Sequence, residues 1–195
     1  MTKIIAFAGR KQSGKTTSAE YVKAFVEQQN KDAFCKIYSF ADPLKQDICI
    51  NILDLTYEQC YGSDEEKNTL TDLFWDNRQL TAREAMEIIG TNIFRTLKNN
   101  VWVSSTINKI KKEKPTVAII ADCRFPNEVA SIKAENGKVL RLTRNPFNSS
   151  AQAEAALDKD NYDWSNFDYI CDNADMNISD QCMDIQKFLL AILPL

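Results

Sequence analysis

The chain has 195 residues, 24 basic and 27 acidic side chains, a net charge of −3 and 44% hydrophobic residues. That size and apolar content suit one domain around a main core, and the acidic balance opposes wrapping of a nucleic-acid backbone. Histidine is absent, which excludes imidazole acid–base catalysis, a Ser-His-Asp triad and imidazole ligation of zinc.

Residues 4–8 (Ile-Ile-Ala-Phe-Ala) form a short apolar run ending at Gly9, the pattern of a buried parallel strand. From Lys15 onward Ala19, Val22, Phe25 and Val26 recur at helical spacing, predicting a helix that fades near Asn30. Residues 34–40 read as a second strand. Pro43 suits the first turn of a helix running to about Leu53. Residues 56–79 are polar and irregular, and short helices and loops are expected there. A helix over residues 80–97 places Met86, Ile89, Ile93, Phe94 and Leu97 on one stripe, with Arg83 and Gly90 beside it.

Residues 102–112 predict another helix, closed by Pro115. Residues 117–121 (Val-Ala-Ile-Ile-Ala) are the strongest buried-strand signal, with Asp122 at their end. A helix over 127–135 stops at Gly137, and residues 139–142 form a strand ending near Arg144. Loop and short helix fill 145–164, and 168–171 make a last short strand. Ile178, Cys182, Ile185, Phe188, Leu189 and Ile192 mark a final amphipathic helix. Alternating strands and helices predict an α/β fold with a mainly parallel sheet.

Six cysteines occur without a C-x-x-C pair, so they read as small buried hydrophobes rather than metal ligands. No secretory signal is visible, and no apolar run reaches the length of about 20 residues that a membrane span needs. Reduced thiols, a cytoplasmic location and no membrane partner are therefore expected.

The motif that carries chemistry is Gly9-Arg10-Lys11-Gln12-Ser13-Gly14-Lys15-Thr16, which fits G-x-x-x-x-G-K-[ST] between a predicted strand and a predicted helix. A phosphate chain needs several N–H donors converging on it. Glycines let the backbone curl, and the helix N-terminus adds partial positive charge. Gln12, Ser13, Gly14, Lys15, Thr16 and Thr17 are thus the expected ATP-binding residues. Lys15 would reach the β- and γ-phosphates, and the Thr16 hydroxyl would hold Mg2+. Asp122, an acid ending an apolar strand, is the expected second magnesium partner.

A phosphate loop implies a nucleotide without specifying a reaction. A guanine-specifying N-K-x-D is missing, and the chain is short for a mechanical ATPase. Arg78, Arg83, Arg95, Arg124, Arg141 and Arg144 lie outside the loop. Transfer between two phosphates needs such a set, because donor and acceptor charge must both be offset. Phe74, Trp75 and Trp102 suit stacking on a base. At this level a P-loop kinase of another phosphorylated metabolite and a non-catalytic nucleotide-binding switch module both stay open.

In four ordered segments the sequence resembles the bacteriophage-type deoxynucleoside monophosphate kinases of the P-loop group. The segments are residues 9–17, Phe40-Ala41-Asp42-Pro43-Leu44-Lys45, residues 83–102 with Gly90-Thr91, and Asp122-Cys123-Arg124-Phe125-Pro126-Asn127-Glu128, with weaker echoes at Arg144, Glu154 and 168–173. The resemblance implies ATP-dependent phosphorylation of deoxynucleoside 5′-monophosphates to diphosphates, for DNA synthesis. It also implies a P-loop NTPase-type three-layer α/β/α sandwich in a single domain over residues 1–195.

By the same resemblance, Lys15, Arg124 and Arg144 would be catalytic cations. Lys11 would help bind the acceptor phosphate, with Asp122 beside the substrates. Lys45, Arg83, Arg95 and Trp102 would lie in a monophosphate-binding region at about 41–102. Independently of the resemblance, water must be excluded or ATP would be hydrolysed, so closure of mobile segments is expected, with 56–79 and the lid-like 145–164 as the candidates. Family members often carry Gln where Glu87 stands, and His-Ser-Glu where this chain has Ala153-Glu154. The implied partners are small-molecule nucleotides, in the host cytoplasm if a phage encodes the chain, and a homodimer is compatible with the sequence.

Overall fold

The computed structural model describes residues 2–147 and 152–193, with the backbone alone at 152 and 153. Of the expected lid, residues 148–151 lie outside the described residues. Two compact units are present: Met1–Ser39 with Asn108–Leu195, and Phe40–Ile107. In chain order the strands are β1 (Lys3–Ala8), β2 (Cys35–Tyr38), β3 (Leu70–Trp75), β4 (Arg78–Thr81), β5 (Val117–Cys123), β6 (Lys138–Leu142) and β7 (Tyr169–Cys171).

In the first unit, five strands form one sheet in the order β2-β5-β1-β6-β7, every pairing parallel. The apolar runs explain this arrangement. Ile4 to Ala8 and Val117 to Ile120 are buried on both faces, as strands covered by helices on either side must be. Ile5, Phe7, Ile119, Leu140 and Leu142 share one core with Ala19, Val22, Phe25 and Val26 of the helix Lys15–Gln29. Ile185, Phe188 and Leu189 of the helix Ile178–Ile192 complete it. The other face meets the helix Pro126–Ala134. At Gly137 an added Cβ would lie 2.6 Å from Ile132 Cγ2 and 3.1 Å from Ile4 Cβ. Helices on both faces make the expected α/β/α sandwich.

The six cysteines are free, and burial pushes each thiol upward, Cys49 and Cys171 to about 12. Buried, protonated thiols behave as small hydrophobes.

Asp168 ties the sheet edge together. Its carboxylate accepts from the Val139 N–H (3.0 Å), Lys138 Nζ (2.9 Å) and Lys133 Nζ (3.0 Å). Burial alone would raise its pKa, but the amide and the two ammonium groups outweigh it and hold the carboxyl below its ordinary 3.8. A depressed folded-state pKa stabilises above the unfolded value, and that contribution is lost as pH falls through the folded value. Asp168→Ala is expected to cost about 2–4 kcal/mol at pH 7. In urea titrations the gap from wild type should narrow toward pH 3.

The second unit departs from expectation in residues 56–79. Two short helices form there, Tyr57–Tyr61 and Asp64–Lys67, each started by a reciprocal capping box (Thr56 with Gln59, Ser63 with Glu66). The remainder is an antiparallel hairpin of β3 and β4, not loop. Asp76 (φ 50°) and Asn77 (φ 60°) form its two-residue turn, with the two positive φ values that tight hairpins require. Because β4 takes Leu80 and Thr81, the expected helix over 80–97 begins at Ala82, capped by Thr81.

Two helices here, Pro43–Ile50 and Ile88–Arg95, have widened turns. At the first, Asn51 N–H donates five residues back to Gln46 O at 3.1 Å. The two approach closely at Gly90, where a Cβ would lie 2.6 Å from Leu44 Cδ2. Cys49, Leu55, Cys60 and Ala82 form this unit's core. Leu97, expected on the apolar stripe, is 80% exposed.

Candidate active site

Strand pairing assembles the site in the first unit. β1 lies between β5 and β6, so its carboxyl end feeds the loop from Gly9 into the middle of the sheet edge. The pairing Ala8↔Cys123 sets Asp122 level with that loop. The carboxyl ends of strands are where open α/β sheets bind ligands. β5 runs two residues past its predicted end and includes Asp122.

The loop turns through Gln12 at φ 59° and Gly14 at φ 99°. At Gly14 an added Cβ would stand 2.7 Å from Gln181 Nε2, so left-handed backbone and lack of space both call for glycine. The helix Lys15–Gln29 then starts with its free N–H groups at the loop.

Lys11, Gln12, Gly14, Lys15, Thr16, Thr17, Asp122, Arg124 and Arg144 line one cleft of about 430 Å³, closed by Ala121, Ile178 and Gln181. Ser13 lies beneath it, fully buried, with its N–H donated to Arg10 O at 3.2 Å. Lys15 is 7% exposed, and its ammonium donates to Gly9 O (2.8 Å) and Arg10 O (2.6 Å). Burial, then the nearby charge of Arg124, push its pKa down to about 8, against the pull of Glu154 and Asp122.

Arg124 follows β5, and its backbone is fixed by buried Glu128, which accepts from the Arg124 N–H at 2.6 Å and the Phe125 N–H at 3.1 Å. Its guanidinium pairs with Glu154, whose other oxygen accepts from the Lys11 N–H at 2.5 Å. Asp122 accepts from Ser39 Oγ at 2.5 Å. Arg144 donates through its guanidinium to Asn173 O (3.0 Å) and Met176 O (2.5 Å). Arg141 plays a structural part: it is 4% exposed, bridges with Arg10 to Asp158 and lies 5.3 Å over the Trp164 ring.

The remaining expected residues belong to the second unit. Lys45 sits 4.6 Å over the Tyr61 ring, whose hydroxyl donates to Asp42 at 2.9 Å. Arg83 is exposed and pairs with Asp64 (2.7 Å) and Asn68 (3.0 Å). Arg95 ends the widened helix Ile88–Arg95 and is half-buried. Trp102 is buried against Phe94 and donates its indole N–H to Gly90 O at 3.0 Å. Phe74 and Trp75 stand exposed on the hairpin. Asn173 falls only within the weak echo at 168–173, and Gln181, Asp158 and Ser39 are not singled out by the sequence, because their partners are distant along the chain.

No family model matches the chain. A protein of Acanthamoeba polyphaga mimivirus described as a deoxynucleotide monophosphate kinase is 30% identical over 156 residues, spanning 72% of this chain and 74% of that protein. The chain belongs to the deoxynucleoside monophosphate kinase family. The deoxynucleoside-5′-monophosphate kinase of Escherichia phage T5 is 31% identical over 75 residues, 38% of this chain and 28% of that one. Among solved structures, shikimate kinase from Acinetobacter baumannii in complex with shikimate matches with a TM-score of 0.55 at 11% identity. The match covers 100% of this chain and 97% of that one, and it shows a shared fold.

The chain is thus a nucleotide-binding phosphotransferase with a P-loop. No helix among the described residues is long and apolar enough to cross a membrane.

Proposed function

We propose that this kinase transfers the γ-phosphoryl group of ATP to a deoxynucleoside 5′-monophosphate, yielding ADP and a deoxynucleoside diphosphate. The observation that carries the reading is one cleft that gathers phosphate-loop backbone, Lys15, Arg124 and oxygen donors. An acceptor phosphate oxygen is already a nucleophile. Catalysis then rests on positioning and charge neutralisation, and the missing histidine costs nothing.

ATP phosphates take the loop amides of residues 12–17. Lys15 exchanges the Gly9 and Arg10 carbonyls for phosphate oxygens, and Arg124 exchanges Glu154 for the transferring group. Arg144, held by two carbonyls, adds a fixed positive charge to the cleft wall. Thr16 and Asp122 fit Mg2+: a hydroxyl and a carboxylate on the same cleft are hard oxygen donors, and magnesium takes few protein ligands beside substrate phosphates. When bound, the ion offsets charge on the phosphates.

Monophosphate binding is assigned to the Phe40–Ile107 unit, with Lys45, Arg83 and Arg95 as anion-binding residues and Trp102 behind the base. Lys11 serves the acceptor phosphate from the loop. Residues 145–164 act as the lid that excludes water. The reaction belongs to the cytoplasm, and its partners are small-molecule nucleotides.

The test is ADP formation from Mg-ATP with a panel of deoxy- and ribonucleoside monophosphates. At least one deoxynucleotide is expected to raise turnover by about 10²-fold over basal hydrolysis. No stimulation by any of them overturns the reading.

A further inference from the structure

We propose that Asn173 is a positioning residue for phosphate recognition, oriented by Gln181, and that it links the phosphate loop to Arg144. The inference rests on the nucleotide-kinase reading of the cleft and deepens it.

A phosphate-binding loop works only if its N–H groups face the ligand. In a trans peptide unit the C=O and N–H point in opposite directions. Turning N–H groups into the cleft therefore drives the preceding carbonyls into the protein, where each needs a donor. Ser13 O, which shares its peptide unit with the Gly14 N–H, receives Asn173 Nδ2 at 2.8 Å. Gly14 O, which shares its unit with the Lys15 N–H, receives the Ser18 N–H (2.9 Å), Ser18 Oγ (2.8 Å) and Gln181 Nε2 (3.3 Å). The helix start thus fixes the second unit, whereas the first depends on a side chain 160 residues away.

Asn173 is itself held. Its Nδ2 donates to Gln181 Oε1 at 2.7 Å, and Gln181 Nε2 donates to Ser18 Oγ at 2.7 Å. Asn173 is 0% exposed and Gln181 2%. At such burial a neutral amide supplies donors without the desolvation cost of an ammonium or guanidinium group. On its other side Asn173 Oδ1 accepts from the Arg144 N–H at 2.9 Å, while the Arg144 guanidinium caps Asn173 O. One buried side chain thus sets both a loop amide and the base of a cleft arginine.

Asn173→Asp separates the two bonds. It keeps the volume and the acceptor for Arg144, but it removes the donor to Ser13 O and sets a carboxylate against that carbonyl. Gln181→Met keeps the volume and releases Asn173. Titration calorimetry on the full chain with ADP, inorganic pyrophosphate and adenosine reads the result. Both variants are expected to bind pyrophosphate and ADP about tenfold or more weakly, with adenosine within about twofold, in proteins that still melt cooperatively. A merely structural role would shift the melting temperature and leave the pyrophosphate-to-adenosine ratio unchanged. Folded variants with wild-type affinity for pyrophosphate, or with equal losses for adenosine and ADP, overturn the inference and leave the kinase reading standing. Failure of the wild type to bind either ADP or pyrophosphate overturns both.

Discussion

Lys15→Ala is expected to lower kcat/KM for phosphoryl transfer by about 10²–10³-fold, some 3–4 kcal/mol of transition-state stabilisation. The ammonium sits where the loop backbone, the helix N-terminus and Arg124 meet. Its ammonium donates to the backbone carbonyls of Gly9 and Arg10, which phosphate oxygens can replace. The fold should survive. Burial already opposes the charge, with the pKa pushed down to about 8. Removing the ammonium relieves that cost while depriving Gly9 O and Arg10 O of a donor. The melting temperature of the variant should therefore stay within a few degrees of wild type. Near-normal turnover in a folded variant would contradict the role given to Lys15.

Asp122→Asn is expected to lower kcat by about 10²-fold and to raise the half-saturating magnesium concentration about tenfold. The substitution keeps shape, and an amide oxygen can still accept from Ser39 Oγ, so the packing at the end of β5 is preserved. What is lost is one negative charge in a cleft that otherwise carries Lys11, Lys15, Arg124 and Arg144. The KM for the acceptor should change less than kcat, because Lys45, Arg83, Arg95 and Trp102, four of the residues proposed to bind it, lie in the Phe40–Ile107 unit. An unchanged magnesium dependence would remove Asp122 from the metal site.

What was legible in the sequence follows from how local each signal is. The strand–loop–helix motif from Ile4 to Thr17 lies within a few residues, so glycine spacing and apolar runs suffice to read it. β1 and β5 are buried on both faces, and continuous apolar runs say so. The β3–β4 hairpin was hidden because Asp76-Asn77 takes the place of the usual glycine-containing pair, and Leu70, Phe74 and Trp75 face outward. Widened helical turns at Pro43–Ile50 and Ile88–Arg95 leave the apolar spacing much as in an ordinary helix.

The arginines read as a set divide in the structure. Arg124 and Arg144 reach the cleft, Arg141 is consumed by Asp158 and Trp164, and Arg78 and Arg83 pair on the surface with Glu84 and Asp64. Composition cannot make that division, because it depends on partners brought together by the fold. Asn173 and Gln181 show the same limit more sharply. An asparagine before a helix and a glutamine in its first turns carry no sequence mark of the loop carbonyls they hold.

The most direct test follows the transferred group itself. ATP labelled on the γ-phosphate is incubated with the protein, Mg2+ and a deoxynucleoside monophosphate, and the label is traced. Label recovered in the deoxynucleoside diphosphate, in step with ADP, is the predicted result. Label recovered only as inorganic phosphate, at a rate indifferent to every deoxynucleoside monophosphate tried, would contradict it.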